Sequence, residues 1–188
     1  MSIEAELKAR LRDPGRIRAL LRDRAREQVA TYSDVYFDTV DHRMTAEGRE
    51  LRIREISDDD GNRSVLTYKA PSVHAASGSK PEYETEVIRP DVMRIILDQL
   101  GYVVLVALTK HCRNYWFVSN GHDMLATLVH VPELDGTFLE VETIVSDKSE
   151  TDAAITAVRA VLTDLGITDD DLTTEQYTAA VQQRRGQK

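Results

Sequence analysis

The chain predicts an α+β fold built on an antiparallel sheet, and three observations carry that prediction. Runs of alternating character recur along its 188 residues and are joined mainly by turns rather than by crossover helices. Four segments carry helix-start signals, two of them built on Pro14 and Pro90. Charge of both signs falls on alternate positions of five strand-like runs, which gives those strands one charged and one apolar face.

The elements follow in order. Ile3-Glu4-Ala5-Glu6-Leu7-Lys8 alternates at period two and reads as the first strand. Asp13-Pro14 supplies an N-cap and a first helical position, opening a helix through about Gln28. Strands follow near 34–40, 49–56 and 63–69, the last two joined at Asp58-Asp59-Asp60-Gly61-Asn62 as a hairpin. Ala70 to Lys80 is small, polar and aperiodic, the composition of a mobile loop. Glu82 to Ile88 alternates as a strand, and Pro90 starts a helix that stops at Gly101. Strands are expected at 103–107, 109–118 and 124–131, with a turn at Ser119-Asn120-Gly121, and another at 137–145. Ser149-Glu150-Thr151-Asp152 opens a helix to Gly166. Thr173-Thr174-Glu175-Gln176 caps a last helix whose residues from about 181 to 188 are expected to fray.

Composition bounds the function. One domain over 1–188, with 41% hydrophobic and 30% charged residues, is long enough for a packed core. The longest apolar run, around Tyr102 to Leu108, is far short of a membrane span. The start is acidic, with no basic-then-apolar signal segment, and a single cysteine, Cys112, excludes an internal disulfide. Both point to a cytoplasmic protein. A net charge of −8 argues against general nucleic-acid binding but leaves room for a small basic pocket facing a polyanion.

The charged faces are the informative feature. They comprise Glu4/Glu6/Lys8, Arg52/Arg54, Lys69, Glu84/Glu86 and Glu140/Glu142. An open sheet would show these faces to water; a closed sheet would turn them inward and line a polar tunnel. Carboxylates and cations facing one another are costly to bury unpaired and so imply a ligand, metal or water. Carboxylates two apart, with no Cys or His cluster, are hard oxygen donors suited to Mg²⁺ or Mn²⁺. Arg and Lys on neighbouring strands suit phosphate oxygens.

At these residues the chain resembles the CYTH proteins, the class IV adenylyl cyclase and thiamine triphosphatase superfamily of triphosphate tunnel enzymes. Glu4-Ala5-Glu6-Leu7-Lys8 matches their ExExK signature. The similarity continues in order through Tyr36-Phe37-Asp38, Leu51-Arg52-Ile53-Arg54, Leu66-Thr67-Tyr68-Lys69, Glu84/Glu86, Phe138-Leu139-Glu140-Val141-Glu142 and Tyr177. The resemblance implies an eight-stranded antiparallel tunnel, with helices outside, that binds a triphosphate together with a divalent metal. Carried over by position, Glu4, Glu6, Glu140 and Glu142 would hold Mg²⁺ or Mn²⁺, with Glu4, Glu6 and Glu142 serving catalysis. Lys8, Arg52, Arg54 and Lys69 would grip phosphates, and Glu84 and Glu86 would balance the basic wall or join the metal site. The implied reaction is cyclisation of ATP to cyclic AMP and pyrophosphate. The alternatives are hydrolysis of inorganic, thiamine or nucleoside triphosphate, and a non-catalytic polyphosphate binder. A small-molecule triphosphate is the expected partner, without nucleic acid or membrane; a homodimer is left open.

Two departures stand out. Where the family commonly shows Lys-x-Arg, this chain reads Lys110-His111-Cys112-Arg113. Lys110 and Arg113 have opposite parity, so only one faces the tunnel unless the strand bulges. Where the family tends to carry Asp before the final Glu pair, the alignment puts Val129. Cys112 reads as a small strand residue, Tyr115, Trp116 and Phe117 read as packing, with a base-stacking platform as the alternative, and His111 is the one histidine of interest. The arginines at 16, 18, 22, 24 and 26 read as a solvated helix face or a partner surface.

Overall fold

A computed structural model describes residues 2–73 and 79–187. Of the mobile loop expected over Ala70 to Lys80, residues 74–78 lie outside the described residues, and Lys80 already belongs to β5. The elements are β1 (Ser2–Arg10), α1 (Pro14–Arg22), β2 (Gln28–Thr39), α2 (Arg43–Ala46), β3 (Glu50–Asp58), β4 (Gly61–Lys69) and β5 (Lys80–Glu86), then α3 (Pro90–Gln99), β6 (Tyr102–Ser119), β7 (His122–His130), β8 (Phe138–Val145), α4 (Thr151–Asp164) and α5 (Tyr177–Gly186). The eight strands close into a barrel in the order β1-β5-β4-β3-β2-β6-β7-β8, with every pair antiparallel. No described helix is long and apolar enough to cross a membrane.

Alternation decides what faces in. On β3, Leu51 and Ile53 point out to a cluster with Phe37, Met44 and Leu97 beneath α3. On β8, Leu139 and Val141 point out to Val158, Val161, Leu162 and Leu165 along α4 and its end. Ile3 and Ala5 of β1 meet Val145 and Ala154. The apolar core therefore lies between barrel and helices, and the charged positions between these residues turn inward.

Several local expectations need correction. The helix at Asp13 ends at Arg22, because β2 already begins at Gln28 and pairs with β6 from there. The strands expected at 103–107 and 109–118 are one 18-residue strand, and a register shift opposite Tyr36/Phe37 absorbs the irregularity. A capping box of Asp147 and Glu150 closes the 3-10 turn Lys148–Glu150, and α4 continues from it at Thr151 without the expected Ser149 cap. The tail expected to fray from 181 is helical to Gly186, because Val181 is fully buried against Val131 and Phe138. At the β6–β7 hairpin, Asn120 and Gly121 take φ of 52° and 77°, the left-handed pair that a two-residue turn requires.

Candidate active site

The barrel encloses a cavity of about 1100 Å³. Each strand contributes alternate residues to it. β1 supplies Glu4, Glu6 and Lys8; β3 supplies Glu50, Arg52 and Arg54; β4 and β5 supply Lys69, Lys80, Glu82 and Glu84. Across the lumen stand Lys110 and Cys112 of β6, Leu125 and Thr127 of β7, and Glu140, Glu142 and Ile144 of β8.

Glu4, Glu6 and Glu142 converge. One carboxylate oxygen from each lies within 4.8 Å of the others. Register brings them together, since Glu6 pairs directly with Glu142 across β1 and β8. Three carboxylates so close repel one another in a low dielectric. Burial, then Glu140 and Glu4, push the Glu6 pKa up to about 8. Burial, then Glu4 and Glu6, hold that of Glu142 well above the carboxylate range. A divalent cation would relieve both, and an all-oxygen donor set fits a hard ion. Glu140, expected in the same set, stands apart from the three. Burial works against its charge, but Lys110 and Lys8 outweigh burial and hold its pKa low.

The opposite wall is basic, and its cations differ in how fully they are engaged. Arg54 makes a bidentate pair with Asp34, at 2.7 and 2.8 Å, and lies 4.4 Å from the Tyr32 ring centroid. Burial opposes the Asp34 charge, yet Arg54 foremost, then Arg52 and Lys110, hold its pKa below the usual range. Arg52 donates to Thr67 Oγ1 at 3.0 Å and lies 3.6 Å from Glu84, while its buried Nε has no partner among the described residues. Lys69 pairs with Glu4 and lies 3.4 Å from Glu82. Burial, then Glu4, push the Glu82 pKa up to about 7.

One end of the lumen is closed by α5. Tyr177 packs edge-on against Phe138, and the Lys8 and Lys110 ammoniums each lie 4.3 Å from its ring centroid. Val129, at the position of the missing carboxylate, belongs to this apolar floor with Cys112, Phe138 and Tyr177. An ionised Asp there would be buried among apolar groups.

Of the ten residues expected to point inward on shared parity, nine line the cavity. Glu86 does not: it is exposed and lines a second recess with Glu55, Arg63 and Ser64. Of the Lys110/Arg113 alternatives the lumen takes Lys110. Arg113 lies outside, bonded at 3.0 Å to Glu27, which also accepts from Arg18 and Tyr115. His111 is exposed on the outer face, stacked with His130. Among the arginines between 16 and 26, Arg18 pairs with Glu27 and Arg24 with Asp164. Trp116 corrects the packing expectation. Tyr115 is fully buried, but Trp116 is 51% exposed.

Sequence reasoning missed Glu50, Lys80 and Glu82 as lining residues and Asp34 as the buried partner of Arg54. Asp34 alternates with the lining residues Tyr32 and Tyr36 and already lay at the start of the strand expected over 34–40, so its parity with Tyr36 was the available signal.

Comparison with known proteins follows the same lines. The CYTH domain family matches residues 2–177. A protein of Methanocaldococcus jannaschii named "Putative adenylate cyclase" is 29% identical over 177 residues, covering 93% of this chain and 96% of that one. The solved structure of the PH1819 protein of Pyrococcus horikoshii OT3 is 27% identical, with a TM-score of 0.85 over 97% of this chain and 99% of that one. A Hippeastrum adenylyl cyclase homologue, whose structure is described as revealing a dominant triphosphatase activity, shares the fold at 18% identity. Its TM-score is 0.62, over 97% of this chain and 96% of that one.

Proposed function

Because the chain belongs to the CYTH domain family, we propose that its tunnel is the active site of a divalent-metal-dependent enzyme acting on a triphosphate, with cyclisation of ATP as its reaction. One observation carries this reading: a carboxylate trio, Glu4, Glu6 and Glu142, faces a wall of buried cations inside one cavity.

Bound Mg²⁺ or Mn²⁺ would supply charge neutralisation at the phosphate oxygens. Glu4, Glu6 and Glu142 would hold it. Arg52, with Nε uncommitted, and Lys8, Lys69 and Lys110 would bind the phosphates and stabilise charge on the transferred group. Arg54, engaged by Asp34, orients that wall. In the cyclase reaction the ribose 3′ oxygen attacks the α-phosphorus and pyrophosphate leaves. The M. jannaschii relative's name supports this choice.

Hydrolysis is the second reading. Water replaces the sugar hydroxyl and orthophosphate leaves. The description of the Hippeastrum protein supports keeping it, because the same side chains serve either nucleophile.

Product identification decides between them. The protein is incubated with ATP, inorganic triphosphate and thiamine triphosphate in Mg²⁺ or Mn²⁺. Cyclic AMP with pyrophosphate is expected from ATP; orthophosphate with ADP and no cyclic AMP would give the hydrolase. Glu6→Gln and Glu142→Gln should lose roughly 100-fold or more in turnover while remaining folded. Full activity in excess chelator, or in both variants, would remove the metal trio from the reaction.

A further inference from the structure

The helix α3 is apolar over more of its circumference than its contact with the barrel uses. Its inner side, Met93 and Leu97, packs over Phe37, Leu51 and Ile53. One flank is polar. Arg94 there pairs with Glu55 of β3, and Arg89 pairs with Asp91 at 2.8 Å. The other flank carries Val92, Ile96 and the helix-ending Leu100, stacked at a spacing of four residues, with Ile95 beside them. These four are exposed, Ile95 at 61% and Leu100 at 69%.

Because Arg94 anchors the polar flank over β3, the apolar flank lies over β2 and β6, the next strands round the barrel. Val104 of β6 pairs there with the outward-facing Phe37, so it points outward too, and it is 59% exposed. A helix that is apolar all round is ordinarily a buried one. Single exposed aliphatic residues are normal on a surface, but five neighbours form a patch. Together they present several hundred Å², the scale of the apolar part of a standard interface, which buries about 800 Å² per partner and in homodimers is about 65% apolar.

Charge indicates what meets this face. The chain carries −8, so two copies repel one another at long range. At α3, however, Arg89 and Arg94 are already matched within the chain, and Asp98 lies with Asp91 on the polar flank. The apolar flank therefore offers no cluster of one sign to repel a second copy or to recruit a partner of opposite charge. It needs only a matching apolar stripe, and the same stripe on a second copy supplies one. Rows at a spacing of four interdigitate when two such helices cross. A two-fold axis beside Ile96, the centre of the stripe, would set Val92 of one copy against Leu100 of the other.

We propose that the flank Val92, Ile95, Ile96 and Leu100, with Val104, is an isologous interface occupied by the same face of a second copy of this chain. Sedimentation equilibrium of the full chain should then give a mass twice 21.2 kDa at micromolar concentration. Ile96→Glu places two like charges at the axis and should weaken association roughly 100-fold or more. It should yield a monomer with unchanged far-ultraviolet circular dichroism. Val118→Glu, at an exposed apolar position near the other end of β6, should leave the dimer intact. Ile96→Cys tests the geometry without adding charge, because a residue beside the axis meets its own copy within disulfide reach. Mild oxidation should link Ile96→Cys into covalent dimers and leave Val118→Cys unlinked; the native Cys112 is buried. A monomer at every concentration, a dimer that survives Ile96→Glu, or cross-linking of Ile96→Cys no better than of Val118→Cys would overturn the proposal and leave the face to a different partner.

Discussion

Arg52 and Arg54 stand two residues apart on one strand and face one lumen, yet their surroundings assign them different work. Arg54 is matched by a bidentate bond to Asp34, whose side chain is fully buried. Removing Arg54 leaves that carboxylate buried without its partner, so Arg54→Ala should cost about 3–5 kcal/mol of stability. Chemical denaturation would show it as a lowered midpoint at unchanged slope. Arg52 has longer contacts, at 3.6 Å to Glu84 and 4.0 Å to Asp34 and Glu82, and an unpartnered Nε. Arg52→Ala should keep most of the stability but weaken triphosphate binding by about 1.5–3 kcal/mol, one charged hydrogen bond. The thermal shift produced by triphosphate reads this directly, since a ligand selective for the native state stabilises by mass action. Identical titrations for Arg52→Ala and the parent would remove Arg52 from the phosphate site.

The element that most shapes the site is α5, because its two ends of function separate along its length. Tyr177 at its start meets both lysine ammoniums, whereas Val181, one turn on, is wholly in the apolar floor. Tyr177→Leu retains an apolar plug and removes two cation–π contacts, each worth about 0.5–2 kcal/mol when desolvated. Triphosphate affinity should fall with little change in the metal affinity of the trio. Val181→Ala should instead lower stability by about 2 kcal/mol, the loss of two buried methyl groups and the cavity they leave, with ligand affinity unchanged. Isothermal titration with triphosphate and a denaturation curve on each variant separate the two roles. If Tyr177→Leu bound triphosphate as tightly as the parent, the helix would be packing alone.

For the whole barrel, stability and ligand binding are linked through pH. The Glu6 pKa of about 8 lies above its ordinary 4.5. Between those values the native state holds more protons than the unfolded chain, so unfolding free energy falls as pH rises from about 4.5 to about 8. Glu82, at about 7, acts with the same sign. Glu27 on the outer face acts oppositely. With its pKa lowered to about 2 by Arg18 foremost, it contributes stability that is lost as pH falls from about 4.5 towards 2. In chelator, melting temperature should therefore peak in mild acid and decline towards about pH 8. Mg²⁺ or Mn²⁺ should reverse the decline, because metal ligands bind deprotonated. Glu6→Gln should flatten the alkaline side in chelator. A melting temperature that rises steadily from about pH 5 to 8 without metal would contradict this balance.

Face and local chemistry were legible in the chain by itself. Side-chain period two on a strand is a local property, so Glu4/Glu6, Arg52/Arg54 and Glu140/Glu142 could be assigned to shared faces without knowing where the strands lay. The Asn120-Gly121 turn and the Pro14 and Pro90 helix starts are equally local. Depth along the lumen was not legible. It depends on the stagger with which eight strands close, and that is set by every pairing together. Closure is what leaves Glu86 at an outer recess while Glu84 lines the tunnel, and what separates Glu140 from the trio despite its identical parity with Glu142. It also decides between Lys110 and Arg113, because the unbroken register past Cys112 turns Arg113 out to Glu27. Val129 keeps the parity of the lining residues Leu125 and Thr127, and Trp116 that of Lys110 and Cys112, yet one is buried beneath α5 and the other is half exposed. Alternation fixes which way a side chain points; only the closed barrel, with its helix across one end, fixes what it meets there.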